Sequence, residues 1–387
     1  MLAIKSYVLG LKILGLIHRI IIMQVSFFSQ TKQELKSLLK SWQEPSYRQD
    51  QLFDWIFTKR VFDFDHMTNL PEKLRSKLKN HFDHTLPPIV SRLDAPDGSS
   101  KLLLKNKNNL TFESVILRYP KRTSLCVSSQ VGCRQACNFC QTGKLGFFKH
   151  LKAEEIIAQF LLAQEIVVQE NRSITHVVFM GMGEPLDNFK EVVKAVNLLT
   201  SPEHYGISYT RVTISTVGLA PKIYELAQQT KVSLAVSLHA CRDSLRSELM
   251  PINKRIPLQE LKQSLKEYQK VTQQKITIEY ILIHNKNCGI QEAKELIKYL
   301  SGLKVKVNLI PFNAHPGLPF QRPTTEEIEN FQKYLSQRSI PAPVRYSKGL
   351  EVSAACGQLA AKREDMLLEA PNRKLVLDKQ SPRVTTI

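Results

Sequence analysis

The sequence predicts an α/β fold built on an incomplete (β/α)6 barrel, preceded by a small helical accessory domain and a β-hairpin extension. Three observations predict it. From Thr123 onward, short Val- and Ile-rich runs alternate with longer segments of helical period, the pattern of buried parallel strands joined by crossover helices. Between Thr31 and about His84 only helical spacing is present. Between these regions two apolar runs flank Asn106-Lys107-Asn108-Asn109, a hairpin signal.

Taken in order, residues 1–22 read as an extension or a mis-called start, with Met23 as the alternative start. Lys5, Lys12, His18 and Arg19 break their apolar runs far short of the ~20 residues that span a bilayer. No uninterrupted signal-peptide core or small-residue cleavage site is present. Residues 23–90 form the helical domain, in which Leu52 and Ile56, and then Leu74, Leu78 and Phe82, recur at helical spacing. Lys73, Arg75, Lys77 and Lys79 decorate the faces those residues leave free, giving either a solvated surface or a grip for phosphates.

Residues 91–122 hold a linker and the hairpin KLLLKNKNNLTFESVIL, with Glu113 on its second strand; Pro87 to Ser100 separates the hairpin from the helical domain. Residues 123–346 carry the six βα units. Strands are expected at 123–129, 174–181, 210–216, 232–238, 275–283 and 304–310, and helices at 153–170, 188–200, 219–229, 257–272, 290–301 and 324–338. The last helix opens with Thr324-x-x-Glu327, a capping box. Residues 347–361 form a loop around Cys356, and residues 362–387 a polar tail.

Lys plus Arg outnumber Asp plus Glu by 54 to 35, a net charge of +19, which points to a polyanionic partner. Seven cysteines, three of them crowded together, argue for a reducing, cytoplasmic setting over a disulfide scaffold, and no segment reads as a membrane anchor.

The chemistry is concentrated in Cys126 to Gly146. Cys133, Cys137 and Cys140 stand in C-x3-C-x2-C spacing. A structural zinc would be closed by a further Cys or His pair, and the later cysteines Cys241, Cys288 and Cys356 are isolated. A cubane iron–sulfur cluster held by three cysteines instead keeps one iron open for a ligand. Catalytic groups of a βα barrel gather where strands end. At those ends stand Gly183 and Glu184 in a glycine-rich turn, Ser215, the run Ser237-Leu238-His239, and Asn313. Each alone has an ordinary structural explanation; together, beside the cysteine loop, they mark a site. Cys126 lies on the first barrel strand, and Cys356 precedes Gly357 in a tight loop that suits a nucleophile.

The cysteine spacing, with Phe139 before the third cysteine, resembles the radical S-adenosylmethionine (SAM) superfamily. CVSSQVGC, GMGEPLDN, VTISTVG, SLHA, PINKR, TIEY, NLIPFN and AACGQLA, from about Tyr47 to Ala361, resemble the RlmN family of RNA adenine methyltransferases, relatives of the Cfr methyltransferases. That resemblance implies one [4Fe-4S] cluster held by Cys133, Cys137 and Cys140. It implies SAM, two molecules per turnover, held by Gly183, Glu184, Ser215, Ser237, Leu238, His239 and Asn313. Cys356 would carry the methyl group, Cys126 would form a disulfide with it, and Glu113 would accept a proton. The substrates implied are C2 of an adenine in the peptidyl-transferase region of 23S rRNA and of the adenine beside the anticodon in tRNA. An electron donor for the cluster and a monomeric enzyme complete the expectation. Gln141 and Leu350 depart from the family pattern, the latter by removing an acid from the loop that leads to Cys356. A Cfr-like C8 methyltransferase and a catalytically silent RNA-binding relative are the alternatives.

Overall fold

The computed structural model describes residues 24–314 and 317–359. The expectations for residues 1–22 and for the tail 362–387 lie outside the described residues. The chain divides into two compact units, one formed by the residues before Pro87 together with Ser201–Gly206, the other by Pro87–Thr200 and the residues from Ile207.

The first unit contains β1 (Val25–Ser26), α1 (Lys32–Ser41), α2 (Tyr47–Phe53), which continues into a π turn at Asp54–Thr58, α3 (Glu72–His81) and β2 (Phe82–Asp83), parallel to β1. Thr31 caps α1: its hydroxyl accepts from the Glu34 amide, and the Glu34 carboxylate accepts from the Thr31 amide at 2.7 Å, satisfying amides that the first helical turn leaves open. The spacing of Leu52 and Ile56, and of Leu74, Leu78 and Phe82, turns all five into one core with Phe27 and Phe64. Phe27 meets Phe82 edge-on at 4.9 Å and Phe64 at 5.7 Å. Ser201–Gly206 joins this unit through His204 and Tyr205, whose rings lie 4.9 and 5.3 Å from that of Phe57.

The second unit is organised by one nine-stranded sheet. Its chain order begins with β3 (Ile89–Asp94), β4 (Ser99–Lys105), β5 (Thr111–Tyr119) and β6 (Arg122–Cys126). A short ribbon of β7 (Gln130–Gly132) and β8 (Phe147–His150) brackets α4 (Gln141–Leu145). There follow α5 (Ala153–Val168), β9 (His176–Phe179), α6 (Phe189–Thr200), β10 (Val212–Thr216), α7 (Ala220–Gln229), β11 (Ser233–Ser237), α8 (Asp243–Leu249), α9 (Leu258–Thr272), β12 (Ile276–Leu282), α10 (Ile290–Leu300), β13 (Val305–Pro311) and α11 (Thr325–Ser336). The spatial order β13-β12-β11-β10-β9-β6-β5-β4-β3 leaves β13 and β3 at opposite edges, and the six strands from β6 to β13 run parallel in sequence order. This is the incomplete six-unit α/β architecture the sequence predicts.

The hairpin β4–β5 extends the barrel sheet, since β5 pairs antiparallel with β6. One expectation needs correction. Pro87 to Ser100 is not merely a separator, because Ile89–Asp94 adds a third antiparallel strand to β4. The turn at Asn106 is as expected: its side chain accepts from the Asn108 and Leu110 amides, and Asn109 takes a left-handed φ of +59°.

The barrel strands also alternate more than buried parallel strands need to. In β10, Val212, Ile214 and Thr216 are buried, while Thr213 and Ser215 are partly accessible. Cross-strand partners share a face, as do residues two apart. The register Lys101–Val115–Cys126–Val178–Thr213–Ser233, with Ser237–Glu279–Asn308 further along, therefore sets most of the sheet's polar strand residues on one face, with Val115 and Val178 between them. Glu113 and Ser215 belong to the same face, while Val177, Phe179, Ile214, Val236 and Ile278 fill the other.

Phe82 is fully buried, so Phe82→Ala should destabilise the first unit by about 3–5 kcal/mol through lost burial and the cavity left behind. Denaturant unfolding of the full chain, followed by tryptophan emission from Trp42 and Trp55, would measure the loss.

Candidate functional site

The cysteine loop hangs between β7 and β8. The Cys133 amide donates to the Gly146 carbonyl at 2.8 Å, and a Cβ on Gly132 would come within 1.9 Å of that oxygen. Only glycine, at its φ of +73°, permits this closure. Cys137 is buried, and Cys133 and Cys140 are half-buried. Burial pushes all three thiols up, Cys133 to about 12; the charges of Cys133 and Cys140 raise Cys137 further, and that of Cys140 raises Cys133. Three thiolates in such a place need a cationic group to hold them ionised. Among the described residues no group of three His, Cys, Asp or Glu side chains is arranged to hold one metal ion. A structural zinc takes four such donors, and the loop offers three cysteines. A cubane ligates each cysteine on a different iron, and this donor set fits it.

The rest of the expected site surrounds that loop. Gly183, at φ +100°, packs its backbone against Gln130, where a Cβ would lie 2.5 Å from the Gln130 Cβ. Glu184 follows, fully inside, its carboxylate accepting from the Leu186 amide at 2.9 Å and the Val217 amide at 2.8 Å. Burial outweighs those donors and lifts its carboxyl to about 7, so an incoming ammonium would restore its charge. Ser215 and Ser237 stand on the polar face of β10 and β11. The Leu238 amide donates to the Glu279 carbonyl at 3.1 Å. His239 takes a left-handed φ of +60°, and its Nδ1 accepts from the Ile281 amide at 3.0 Å. Burial and the neighbouring Arg246 lower it to about 3, so the ring is neutral and Nε2 carries the hydrogen. Phe139 of the cysteine loop meets this ring edge-on at 4.8 Å.

Cys356 and its loop complete the arrangement. The Gln141 amide donates to the Gly357 carbonyl at 2.8 Å, the Thr142 hydroxyl to the Leu359 carbonyl at 2.6 Å, and Asn313 Nδ2 to Ser347 Oγ at 2.8 Å and the Cys356 carbonyl at 3.3 Å. Gln141, a departure from the family pattern, thus serves through its backbone. The stretch before Cys356 is anchored on the β3–β4 turn: Asp97 accepts from the Gly349 amide at 2.6 Å, and Lys348 donates to the Asp97 and Arg118 carbonyls. Lys101 Nζ pairs with Glu113 at 3.1 Å and reaches the Ser353 carbonyl at 3.4 Å, linking the strand of Glu113 to the Cys356 loop. Glu113 and Cys126 share the polar face on neighbouring strands, and Cys356 lies close enough for its charge to raise the buried Cys126 thiol. Cys356 reaches the surface, yet the surrounding loop desolvates its sulfur and Glu279 opposes its ionisation, pushing it up to about 11.

Sequence reasoning assigned no role to Asp97, Lys101, Glu279, Asn308 or Arg246. Glu279 and Asn308, joined by a 2.8 Å hydrogen bond, carried a signal: buried polar residues two apart from others in otherwise apolar strands. Asp97 and Lys101 touch a loop some 250 positions away and carried none.

Removing the Asp97 charge by Asp97→Asn should weaken the anchor by about 1–3 kcal/mol. Alkylation of Cys356 in iron-free protein, followed by mass spectrometry, should accelerate severalfold; an unchanged rate would show that the anchor is dispensable.

Comparison with known proteins places this geometry. The radical SAM superfamily model matches residues 127–311, and the model for the ribosomal RNA large subunit methyltransferase N-terminal domain matches residues 25–83. The dual-specificity RNA methyltransferase RlmN of a Nitratiruptor species is 43% identical over 347 residues, covering 86% of this chain and 96% of that protein. That of Bdellovibrio bacteriovorus is 38% identical, covering 88% and 85%. The crystal structure of a radical SAM methyltransferase from Sphaerobacter thermophilus superposes with a TM-score of 0.84 at 40% identity, covering 87% of this chain and 100% of that one. The superfamily implies a [4Fe-4S] cluster and SAM, which the donor set above fits. With that identity sustained over more than four fifths of both chains, the chain belongs to the RlmN family of radical SAM RNA methyltransferases.

Proposed function

We propose that this enzyme methylates C2 of an adenine in 23S rRNA, in the peptidyl-transferase region, and C2 of the adenine beside the anticodon in tRNA. The observation that carries the reading is the convergence of the Cys356 loop on the cysteine loop, through Gln141 and Thr142, with Cys126 and Glu113 on one adjoining face. A binding module needs none of these three residues.

Adenine C2 lies between two ring nitrogens and is a poor nucleophile, so direct displacement on a sulfonium methyl is unfavourable. Cys133, Cys137 and Cys140 would hold the cluster, and Gly183, Glu184, Ser215, Ser237, Leu238, His239 and Asn313 would hold SAM. Bound together, cluster and SAM would supply one-electron cleavage chemistry, and a separate SAM would supply the methyl group, making two per turnover. Cys356 accepts that methyl on sulfur and presents it to the base. Glu113, paired with Lys101 at 3.1 Å, would take the C2 proton. Once C2 is bonded to the carbon held on the Cys356 sulfur, Cys126 would attack that sulfur. The S–C bond breaks, the carbon takes a proton to become the methyl group, and the disulfide that forms frees the base, with one proton left on Glu113 and one electron passed to the electron carrier. A two-electron reductant must regenerate both thiols, and an electron donor must feed the cluster. The net charge of +19 suits an RNA partner and predicts binding that weakens steeply with salt. We place the enzyme in the cytoplasm, as a monomer. Among the described residues no helix is long and apolar enough to cross a membrane.

Nucleoside mass spectrometry after anaerobic reconstitution with iron and sulfide, then SAM, reductant and an unmodified rRNA fragment, tests the proposal. The expected product is 2-methyladenosine; 8-methyladenosine would overturn the C2 assignment. Cys356→Ala should lower product by roughly 10³-fold or more, since no other group can carry the methyl. Cys126→Ala should leave RNA covalently attached through Cys356, visible as a slow-migrating band. Because Cys356 is pushed up to about 11, only its minor thiolate form reacts at neutral pH. Methylation of Cys356, read by mass in reductant-free protein, should therefore rise about tenfold per pH unit from 7 to 9.

A further inference from the structure

Arg246 has no place in the chemistry above. It lies in α8 with its side chain fully buried. Nη2 donates to the Val217 carbonyl at 2.7 Å and the Ser237 carbonyl at 3.3 Å, Nε to the Leu238 carbonyl at 3.2 Å, and Nη1 to Asn253 Oδ1 at 2.9 Å. All four acceptors are neutral oxygens. Asn253 turns its amide the other way, donating to Asp243 Oδ1 at 2.9 Å, so that carboxylate is reached through a relay. A guanidinium taken out of water and met only by dipoles is costly unless an anion lies within range.

The cysteine loop is fastened beside α8. Asn138, next to Cys137, donates from its amide to the Leu249 carbonyl at 3.0 Å and from Nδ2 to the Glu248 carbonyl at 2.5 Å, fastening the loop to the end of α8. Phe139 then lies against His239, whose neighbours Ser237 and Leu238 are the residues Arg246 holds. These contacts set the loop beside α8 and beside the strand end that Arg246 holds. His239 is neutral and contributes no charge of its own.

We propose that Arg246 is the fixed counter-charge of the cluster, a positioning residue that eases addition of an electron to it while securing the ends of β10 and β11. The inference rests on the reading that Cys133, Cys137 and Cys140 hold a [4Fe-4S] cluster. Net charge around a cluster is among the terms that set its reduction potential, and a desolvated cation favours the reduced, more anionic state. A purely structural clamp would serve the strand ends equally well in any charge state, so charge is the property to vary.

The experiment is a redox titration of the reconstituted full chain, followed by electron paramagnetic resonance of the reduced cluster, with iron content measured alongside. In Arg246→Gln, with iron content unchanged, the ratio of reduced to oxidised cluster at a fixed potential should fall at least tenfold, about 59 mV for a one-electron couple. Arg246→Lys, which keeps the charge with fewer hydrogen bonds, should stay within about threefold of the parent. An unchanged ratio in Arg246→Gln, or equal falls in both variants, overturns the proposal. If Arg246→Gln does not load iron, Asn253→Asp places a carboxylate against the guanidinium, and the same tenfold fall is expected; an unchanged ratio there also overturns it. A parent chain that binds no cluster would overturn the cluster reading itself and the inference with it.

Discussion

Three sulfurs held close together out of water form the constraint on which the second unit depends. As thiols they are tolerated there; as thiolates they repel each other and need a cation among them. The surrounding structure is arranged to keep the loop fixed: a two-stranded ribbon closes its base, the end of α8 holds Asn138, the His239 ring supports Phe139, and the Cys356 loop accepts from Gln141. Few of these contacts are apolar. The loop is held by directional bonds, which suit a site that must keep its ligands in place without filling the space between them.

The sheet serves the same end by giving its two faces different work. One is packed with Val, Ile, Leu and Phe, and the other carries a row of hydroxyls, amides, carboxylates and a thiol. The exposed edges are managed separately. At β13 the Val307 and Leu309 amides donate to the carbonyls of Pro341 and Pro343, and prolines offer no donor in return to recruit another strand. At β3 every residue is exposed, and Arg92 pairs with Asp94 at 3.0 Å along the edge. Charge there makes continuation of the sheet by another chain unfavourable.

The six barrel strands and their helices were legible in the sequence because each has a period of its own and a buried apolar face that enforces it. The cysteine spacing and the strand-end residues were legible because local chain geometry places them. What was hidden is instructive. Strand β3 has no buried face, so its apolar residues Ile89, Val90 and Leu93 gave no alternation against a core. Helix α8 spans seven residues and buries an arginine, the residue type that pattern reading assigns to solvent. Ser201–Gly206 joins the first unit through the rings of His204 and Tyr205 and a Lys32–Glu203 ion pair at 3.7 Å, across more than a hundred positions. The partners of the Cys356 loop, Asp97 and Lys101, answer to tertiary structure that no window of sequence contains.

That last contact also orders events in time. Gly349 and Ser353 meet Asp97 and Lys101 across separations of about 250 residues, among the longest loop closures in the chain. Such a closure recovers its entropic cost only once the intervening strands have already brought the two ends together. Cys356 is therefore seated last, after the sheet from β3 to β13 exists, and a chain still emerging from synthesis has no assembled Cys356 loop to misdirect. Assembly itself acts as the safety catch on a radical reaction.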